Sequence, residues 1–565
     1  MAAHAFGEAA DGHPFPVVPD VVFSLGAVTP GTHGASRSVE TVFRISQTLM
    51  RVAGERTIRL YHLHGLHPSR PAIEEEALSG FIRSAMLENA SHVWKQVGFS
   101  AEGTLVSRHQ ALLREWLSDP DVHPDITGGH VCAIPCDVRY AQGQRALAKF
   151  MEVSPKQSSQ GLPGLRQGGT YLVTGGLGPV GEQLCRHLAH QYQPTLVFFA
   201  RSALDPVREA QLETLRSLGA KVEYVPVDIT DGEALRRAWA EAKARVGIIH
   251  GILHLARLVE DGPIYFKSWA SFERVVAAKA RGTQLLDEVS ANEPLELFLL
   301  FSSVAAFGIR GSSDYGYATA YQNAFARHRN EQVRRGERSG QTVSQCWGPW
   351  TVDSYLPERR DERFAAMGWG LIDPGQALEA IDWSLQLAEP VVAWVRTPAL
   401  EHARRAFGLA LPGTSRPVAA SPWNGLLEGL RRFEEDGARG RAPSPADVAA
   451  FLADHDLEQA PSELVERAHR LLFSTPAVQA PHKPAARGEE LERAVWDALT
   501  EVLKLRGEHS ADQTFQSFGM DSISATQLAT RLEKRLSMPI LPRWFLEFST
   551  ARALIRHLAK QSTAH

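Results

Sequence analysis

The 565-residue chain is too long to fold around one hydrophobic core, and the usual domain size predicts three or four units. Hydrophobic residues make up 44% of the chain and charged residues 22%, which excludes a wholly disordered protein. The formal net charge of −4 argues against non-specific binding to nucleic acid, so we predict no nucleic-acid partner. The sequence contains no run of 18 apolar residues, and we therefore predict no membrane partner.

The cysteine content and the first 20 residues indicate where in the cell the protein is located. Residues 1–20 contain Glu8, Asp11 and three prolines without a continuous apolar core, so they do not predict a secretory signal. The four cysteines are too few and too scattered for a disulfide framework, which favours a cytoplasmic location. Cys132 and Cys136 are spaced like half of a metal site, but no second pair accompanies them, and we predict no metal.

The first 150 residues show a blurred alternation of apolar runs and helix-compatible stretches. The runs are PDVVFSLGA, RTIRLYHLHGL and HVCAIPCDV. Because no glycine-rich turn follows any of them, we interpret this part as a sheet domain without a cofactor. The next stretch, residues 151–169, is rich in Ser, Gln, Pro and Gly and predicts a connector.

Longer apolar runs follow from about residue 170 to residue 410. They are TYLVTGG, TLVFFAR, VEYVPVD, GIIHGILHLA and LELFLLFSS, and helix-like stretches separate them. Runs that are apolar on both faces are typical of a parallel sheet covered by helices on two sides. Residues 421–473 are charged and helix-compatible, and residues 474–488 form a Pro/Ala-rich linker. Residues 489–562 then predict three or four amphipathic helices in one small unit.

A glycine-rich turn lies between the first long run and a helix, in TYLVTGGLGPVGEQLCRHLA at 170–189. Such a turn lets a pyrophosphate approach the amides at a helix N-terminus, although a tight turn without any ligand is the alternative. The residues predicted to bind the cofactor here are Thr174, Gly175, Gly176, Gly178, Val180 and Gly181.

The ends of the next two strands predict which dinucleotide binds. Arg201 and Ser202 follow the second strand, and a cation at this place accommodates a 2′-phosphate, which selects NADPH over NADH. Asp228 and Ile229 follow the third strand, where they would meet the adenine ring. The alternative for Asp228 is a cap on the following helix.

Taken together, the TGGxGxxG turn with its following arginine, GIIHGILHLA, LELFLLFSS, the DY pair at 314–315 and CWGPW at 346–350 resemble the short-chain dehydrogenase superfamily. More narrowly, they resemble the ketoreductase domain of modular polyketide synthases, over roughly residues 20–410. The resemblance implies an α/β fold with a Rossmann-type doubly wound parallel sheet, preceded by a truncated, cofactor-free Rossmann-like half. ALSGFIRSAMLEN, at 77–89, is similar to that half.

The last segment carries a second resemblance. FQSFGMDSISATQLATRLEKRL, at 515–536, is similar to the signature of acyl carrier proteins, small four-helix domains. The resemblance implies that Ser522 receives 4′-phosphopantetheine and that Asp521 helps a phosphopantetheinyl transferase to engage it. An ordinary helix cap at either residue is the alternative.

The two resemblances predict four domains. They are a structural half at 1–160, a catalytic NADPH-binding half at 161–410, a helical segment and linker at 411–488, and a carrier domain at 489–565.

The resemblance to ketoreductases also implies the catalytic residues. Tyr315 would donate the proton to the developing alkoxide, and a lysine would adjust its pKa. In polyketide ketoreductases this lysine comes from a K-x-x-G-T motif, which KARGT at 279–283 matches, so Lys279 is predicted. Ser303, at the end of LFSS, is predicted to bind the alkoxide. The loop from Ser303 to Tyr315 is one residue shorter than in the family, and counting back from Tyr315 would select Ser302 instead.

Several positions depart from the family pattern. Thr319 stands where an asparagine normally follows the tyrosine, and Asn323, one helical turn further, could substitute for it. Arg257 replaces a glycine, and Trp350 is followed by TVDSY in place of a glycine–methionine pair. In LVEDG at 258–262, Asp261 is similar to the last acid of a motif that marks B-type ketoreductases, which implies a D-configured alcohol; the alternative is an acid on a surface loop.

The sequence therefore predicts a piece of a polyketide synthase that reduces a carrier-bound β-ketoacyl thioester with NADPH. Its partners would be other synthase modules, which supply ketosynthase and acyltransferase, and a phosphopantetheinyl transferase. The first alternative is a degenerate reductase that serves as a scaffold beside a working carrier. The second is a free short-chain dehydrogenase that acts on diffusible substrates.

Overall fold

The architecture was obtained from a computed structural model of the chain. It describes residues 21–26, 37–52, 57–66, 73–89, 91–100, 136–141, 144–153, 163–352, 369–387, 389–397, 488–503, 544–548 and 550–562, together with isolated positions between them. The predicted boundaries at residues 160 and 410, the segment 411–487, Cys132, Asp521 and Ser522 lie outside the described residues.

The first half of the described chain builds a five-stranded sheet in the order β1-β2-β3-β4-β5, parallel except for the last pair. Helices α1 and α2 each follow a strand. The elements are β1 (Val21–Leu25), α1 (Arg37–Val52), β2 (Ile58–Leu66), α2 (Ile73–Glu88), β3 (His92–Ser100), β4 (Asp137–Ala141) and β5 (Gln144–Leu147).

The second half builds a seven-stranded parallel sheet in the order β12-β11-β10-β9-β6-β7-β8. Its strands are β6 (Thr170–Thr174), β7 (Thr195–Ala200), β8 (Lys221–Pro226), β9 (Gly251–His254), β10 (Leu297–Ser303), β11 (Gln341–Trp347) and β12 (Val391–Trp394). Its helices are α3 (Pro179–Tyr192), α4 (Pro206–Ser217), α5 (Gly232–Val246), α6 (Trp269–Val276), α7 (Gly282–Val289), α8 (Ser313–Arg334) and α9 (Pro374–Gln386). The strand order reverses between β6 and β9, and the crevice beyond the carboxyl ends of such strands is where ligands bind.

Two helices join the halves at close range. Helix α2 of the first half packs along α8 of the second. A Cβ atom added at Gly80 would overlap the carbonyl of Gly316, so only glycine permits this approach of the two backbones. Because α8 begins two residues before Tyr315, the first half supports the helix that carries the predicted proton donor.

The carrier segment forms a separate helical unit. Its described helices are α10 (Gly488–Leu503), α11 (Trp544–Glu547) and α12 (Ala551–Ser562). Its buried core includes Leu491, Val495, Leu499, Phe515, Leu528, Leu532, Trp544, Leu554 and Leu558. Leu491, Val495 and Leu499 recur at intervals of four and so mark one apolar face of α10. Among the helices described here and above, none is long and apolar enough to cross a membrane.

Candidate active site

The glycine-rich turn after β6 has the geometry of a pyrophosphate cradle. Gly175 has a φ of +70°, a backbone conformation that glycine adopts without strain. A Cβ at Gly181 would overlap the turn backbone at Gly175 and Gly176, so any side chain at position 181 would force the turn out of this conformation. Helix α3 starts with Gly178 as its N-cap and has no side-chain cap, which leaves its first amides available to an anion. The turn therefore fits a dinucleotide.

A cavity of about 500 Å³ continues from this turn along the ends of β7 and β8. Its walls include most of the predicted cofactor residues: Thr174, Gly175, Gly176, Gly178, Arg201, Ser202, Asp228 and Ile229. Arg208 and Arg274 also line it, and sequence reasoning missed both. Asp228 does not cap a helix, because its Oδ1 accepts hydrogen bonds from the backbone N–H and the hydroxyl of Thr230. The cap of α5 is Asp231.

A second cavity, of about 360 Å³, opens on the other side of the glycine turn. It brings together the predicted catalytic residues and Val180 and Gly181. Its wall includes Lys279, Ser302, Ser303, Tyr315, Asp261 and Arg257. Arg257 lines both cavities, so it stands where the cofactor cavity meets the catalytic one.

Lys279 lies in a π-helical turn, Ala277–Arg281, between α6 and α7. Such turns are rare and often occur at functional sites. The ammonium is 5.7 Å from the ring centroid of Tyr315 and donates to the carbonyl of Phe301 at 2.5 Å. Burial lowers the pKa of Lys279 to about 7, and the positive charge of Arg257 adds to this effect. The structure thus places beside Tyr315 the lysine that KARGT predicted.

The two candidate serines end the same strand but face different surroundings. The hydroxyl of Ser302 is buried and donates to the carbonyl of Thr319 at 3.0 Å. Ser303 is half-buried; its hydroxyl accepts from the N–H of Ala305 at 3.2 Å and donates to the carbonyl of Trp347 at 3.4 Å. Both serines line the cavity, Ser303 is the more exposed of the two, and the choice between them stays a prediction.

Thr319 and Asn323 both face buried partners other than Lys279. The Thr319 hydroxyl donates to the carbonyl of Tyr315 at 2.7 Å, the usual back-bond of a threonine in a helix. The Asn323 Oδ1 accepts from the hydroxyl of Ser344 at 2.7 Å and from the thiol of Cys346 at 3.2 Å. The structure therefore gives no support to Asn323 as a substitute for the missing asparagine.

A buried ion pair at the start of α8 was not predicted. Lys267 Nζ lies 2.6 Å from Asp314 Oδ2 and 2.5 Å from the carbonyl of Glu260. The second Asp314 oxygen accepts from the N–H of Tyr315 at 2.8 Å. Burial raises the pKa of Asp314 to about 6, against the opposing effect of Lys267. The pair thus connects the loop that carries Asp261 to the residue before the predicted proton donor.

Asp261 itself lines the catalytic cavity. Its Oδ1 accepts from the hydroxyl of Ser312 at 2.6 Å. The N–H of Gly262 donates to the carbonyl of Gly311 at 2.7 Å, so the LVEDG loop lies against the segment that leads into α8. Asp261 is therefore placed to contact a substrate, and its role in product configuration stays a prediction.

Side chains of the first half form hydrogen bonds with the chain after the LVEDG loop and with the segment that leads into α8. Glu88, at the end of α2, accepts from the N–H of Ile264 at 2.6 Å and from the N–H of Gly311 at 3.3 Å. Burial raises the pKa of Glu88 to about 8. Gln47 of α1 donates to the carbonyls of Ile264 and Lys267. The first half is thus in direct contact with the loops that frame the catalytic cavity.

In the part of the chain that the structure describes, no group of three or more His, Cys, Asp or Glu side chains could hold a metal ion. Cys136, Cys185 and Cys346 are buried free thiols.

Comparison with known families gives two matches. Residues 169–352 match the KR domain family, and residues 493–558 match the phosphopantetheine attachment site family. The first match contains Tyr315, Lys279 and Ser303, and the second contains Ser522.

Several curated proteins are similar to the chain. Polyketide synthase PksL of Bacillus subtilis is 26% identical over 496 residues, which are 86% of this chain and 10% of PksL. Polyketide synthase ThaG of Burkholderia thailandensis is 33% identical over 305 residues, 53% of this chain and 5% of ThaG. The chain therefore spans a tenth or less of these relatives.

Solved structures show the same fold. A ketoreductase domain from the bacillaene assembly line aligns with a TM-score of 0.60 and 23% identity, covering 70% of this chain and 97% of that one. A-type ketoreductases from a modular polyketide synthase align with a TM-score of 0.55 and 25% identity, covering 68% and 78%. These alignments confirm the predicted α/β fold.

The fold and the site define an oxidoreductase domain of the ketoreductase type. With the family matches, the chain carries a ketoreductase domain fused to an acyl carrier domain, and it is similar to polyketide synthases. Both predicted resemblances are thereby confirmed.

Proposed function

We propose that the chain reduces a β-ketoacyl thioester to a β-hydroxyacyl thioester with NADPH, and that its carrier domain holds the acyl chain on phosphopantetheine attached to Ser522. One observation carries this proposal. A single cavity, adjoining a dinucleotide-shaped cavity, brings Tyr315, Lys279 and Ser303 together. These are a proton donor, a cation and a hydroxyl, the groups that ketone reduction requires.

In this proposal, bound NADPH supplies the hydride, and the chain's own residues handle the oxygen and its proton. Ser303 holds the ketone oxygen, and the Tyr315 hydroxyl donates a proton to it as negative charge develops. Lys279 in its cationic form stabilises the tyrosine after the proton has left. The carrier tether keeps the substrate at high local concentration, so the cavity does not need to bind it tightly.

We also propose that Arg201 recognises the 2′-phosphate of NADPH, with Arg208 lining the same cavity. In an Arg201→Asp variant we expect the Kd for NADPH to rise about 10- to 100-fold, because a charge-assisted contact becomes a repulsion. The Kd for NADH should change little. Fluorescence titration of both nucleotides measures this without any turnover.

Arg237 is exposed and lines neither cavity, so Arg237→Asp provides the matched control, with NADPH affinity retained. Equal affinity of the Arg201→Asp variant and the unmodified chain for NADPH would contradict the assignment.

The depressed pKa of Lys279 predicts how reduction depends on pH. Below about pH 7 Lys279 is cationic and stabilises the developing tyrosinate, and above it the lysine is neutral. We therefore expect kcat/KM for reduction to fall above pH 7, by about tenfold per pH unit for a single ionisation. A pH profile from 5.5 to 8.5 that stays flat, or rises, would be inconsistent with a cationic Lys279 in the reaction.

The partners of this reaction are proposals as well. Since the similar curated proteins are polyketide synthases, we propose that other synthase modules supply the acyl chain and that a phosphopantetheinyl transferase modifies Ser522. Intact-mass measurement after coexpression with a broad-specificity transferase tests the modification. A chain that gains no phosphopantetheine would remove the carrier role from the proposal, and a Ser522→Ala chain that still gains it would exclude Ser522 as the attachment site.

A further inference from the structure

The position of Thr319 raises the question of which group orients Lys279. Polyketide ketoreductases resemble this chain in using a K-x-x-G-T lysine, but Thr319 occupies the place of their asparagine. The Thr319 side chain is fully buried, and its hydroxyl is bonded to the carbonyls of Tyr315 and Gly316. A threonine hydroxyl that is already committed to its own helix does not reach a neighbouring lysine.

Gln322 contacts the lysine in its place. Its side chain is fully buried, and its Oε1 accepts a hydrogen bond from Lys279 Nζ at 3.3 Å. Its Nε2 donates to the hydroxyl of Thr283 at 3.3 Å. One amide therefore connects the lysine and the threonine at the two ends of the KARGT motif. Both polar ends of the amide are satisfied, which fixes its orientation.

The helix geometry explains why residue 322 can do this. Gln322 lies seven residues after Tyr315 and three after Thr319, and residues with these spacings share one face of a helix. Its side chain is one methylene longer than that of asparagine, so it can reach the lysine from a position further along α8. Asn323 lies on the adjacent position but is bonded to Ser344 and Cys346.

We propose that Gln322 is the positioning residue for Lys279, in place of the asparagine that the family carries at position 319. Its carbonyl oxygen holds the lysine ammonium beside the Tyr315 ring, together with the carbonyl of Phe301. Gln322 acts on the reaction only through Lys279, and it stabilises the cationic form of the lysine. This inference rests on the proposed reduction for its kinetic readout, and on the geometry alone for its titration readout.

Two substitutions at position 322 should shift the pKa of Lys279 in opposite directions. Gln322→Met keeps the volume but removes the acceptor, so the alkaline limb of the pH profile should move down by about one pH unit, with kcat at neutral pH about tenfold lower and KM little changed. Gln322→Glu places a carboxylate beside the ammonium, so the limb should move up by about one to three pH units. A side chain with a purely structural role would not produce shifts of opposite sign.

Asn323→Leu is the matched control, because it also replaces a buried amide on α8 with an apolar side chain. It is expected to lower the thermal midpoint without moving the pH limb. NADPH affinity and the thermal midpoint of each variant establish that it is folded.

The titration midpoint of Lys279 provides a readout that needs no turnover. It can be followed by ¹⁵N NMR of the lysine side chains in the full chain, with Lys279→Met assigning the signal. If the unmodified chain reduces no thioester, the proposed function fails while this titration still tests Gln322. A midpoint that Gln322→Met and Gln322→Glu leave unchanged, or that Asn323→Leu moves as far, would overturn the inference.

Discussion

Tyr315→Phe is expected to lower the rate of ketone reduction by about 10²- to 10⁴-fold, the usual contribution of a positioned proton donor. The substitution removes only the phenolic oxygen. The ring that lies 5.7 Å from the Lys279 ammonium remains, so the start of α8 should keep its structure. Because Tyr315 does not line the cofactor cavity of about 500 Å³, the Kd for NADPH should stay unchanged.

Tyr317→Phe is the matched control for this variant. Tyr317 lies on the same helix and is buried, but it packs against Phe272, with ring centroids 6.1 Å apart, and does not line the catalytic cavity. Turnover of the Tyr317→Phe variant should match that of the unmodified chain. Reduction at an undiminished rate by Tyr315→Phe would exclude Tyr315 as the proton donor.

Breaking the buried Lys267–Asp314 pair is expected to have the largest effect on stability. Both side chains are almost fully buried, with 2% and 1% of their surface exposed. In Lys267→Met, Asp314 loses its counter-ion and remains in a low-dielectric site, which costs about 3–5 kcal/mol of the free energy of unfolding. The loss also releases the carbonyl of Glu260 and the start of α8, so reduction should fall as well.

The pH dependence of this effect has a definite sign. Asp314 already has a folded-state pKa raised to about 6, and removing Lys267 raises it further. The folded variant therefore binds a proton that the unfolded chain has lost, so its stability should decrease as pH rises through the range above the unfolded pKa of about 4. Urea unfolding at pH 5 and pH 8 measures the difference, with the smaller loss expected at pH 5.

Two comparisons make this prediction specific. The double variant Lys267→Met, Asp314→Leu carries no unpaired charge and should be more stable than Lys267→Met alone. Arg216→Met, which breaks an exposed ion pair with Glu209, should cost less than about 1 kcal/mol. A Lys267→Met variant as stable as Arg216→Met would show that the buried pair contributes little.

The parts of the fold that depend on local pattern could be predicted from the sequence. Apolar runs marked five of the seven strands of the second sheet, β6 to β10, and the glycine spacing marked the turn after β6. Strand β3 was missed because two of its buried residues, Lys95 and Gln96, are polar and interrupt the apolar run. The segment HVWKQVGFS is mostly buried in the sheet, but its sequence lacks the continuous apolar run that would predict this burial.

The residues of the candidate site could be predicted where a sequence motif identifies them. The side-chain partners of these residues could not be predicted, because tertiary contacts determine them. KARGT and the DY pair indicated Lys279 and Tyr315, which line one cavity. The partner of the lysine could not be inferred in the same way. The interval of four from Thr319 pointed to Asn323, but the position of β11 commits Asn323 to Ser344 and Cys346. The Lys267–Asp314 pair joins residues 47 positions apart, a distance that no local pattern spans.

The most direct test of the proposed reduction is a single turnover of the purified chain with a β-ketoacyl thioester and NADPH that is deuterated at the transferable position. The proposed reduction predicts loss of the nicotinamide absorbance and a β-hydroxyacyl thioester with one deuterium on the β-carbon. NADPH that binds with unchanged absorbance, and a ketone recovered intact across a series of thioesters, would contradict reduction and support a scaffold beside the carrier.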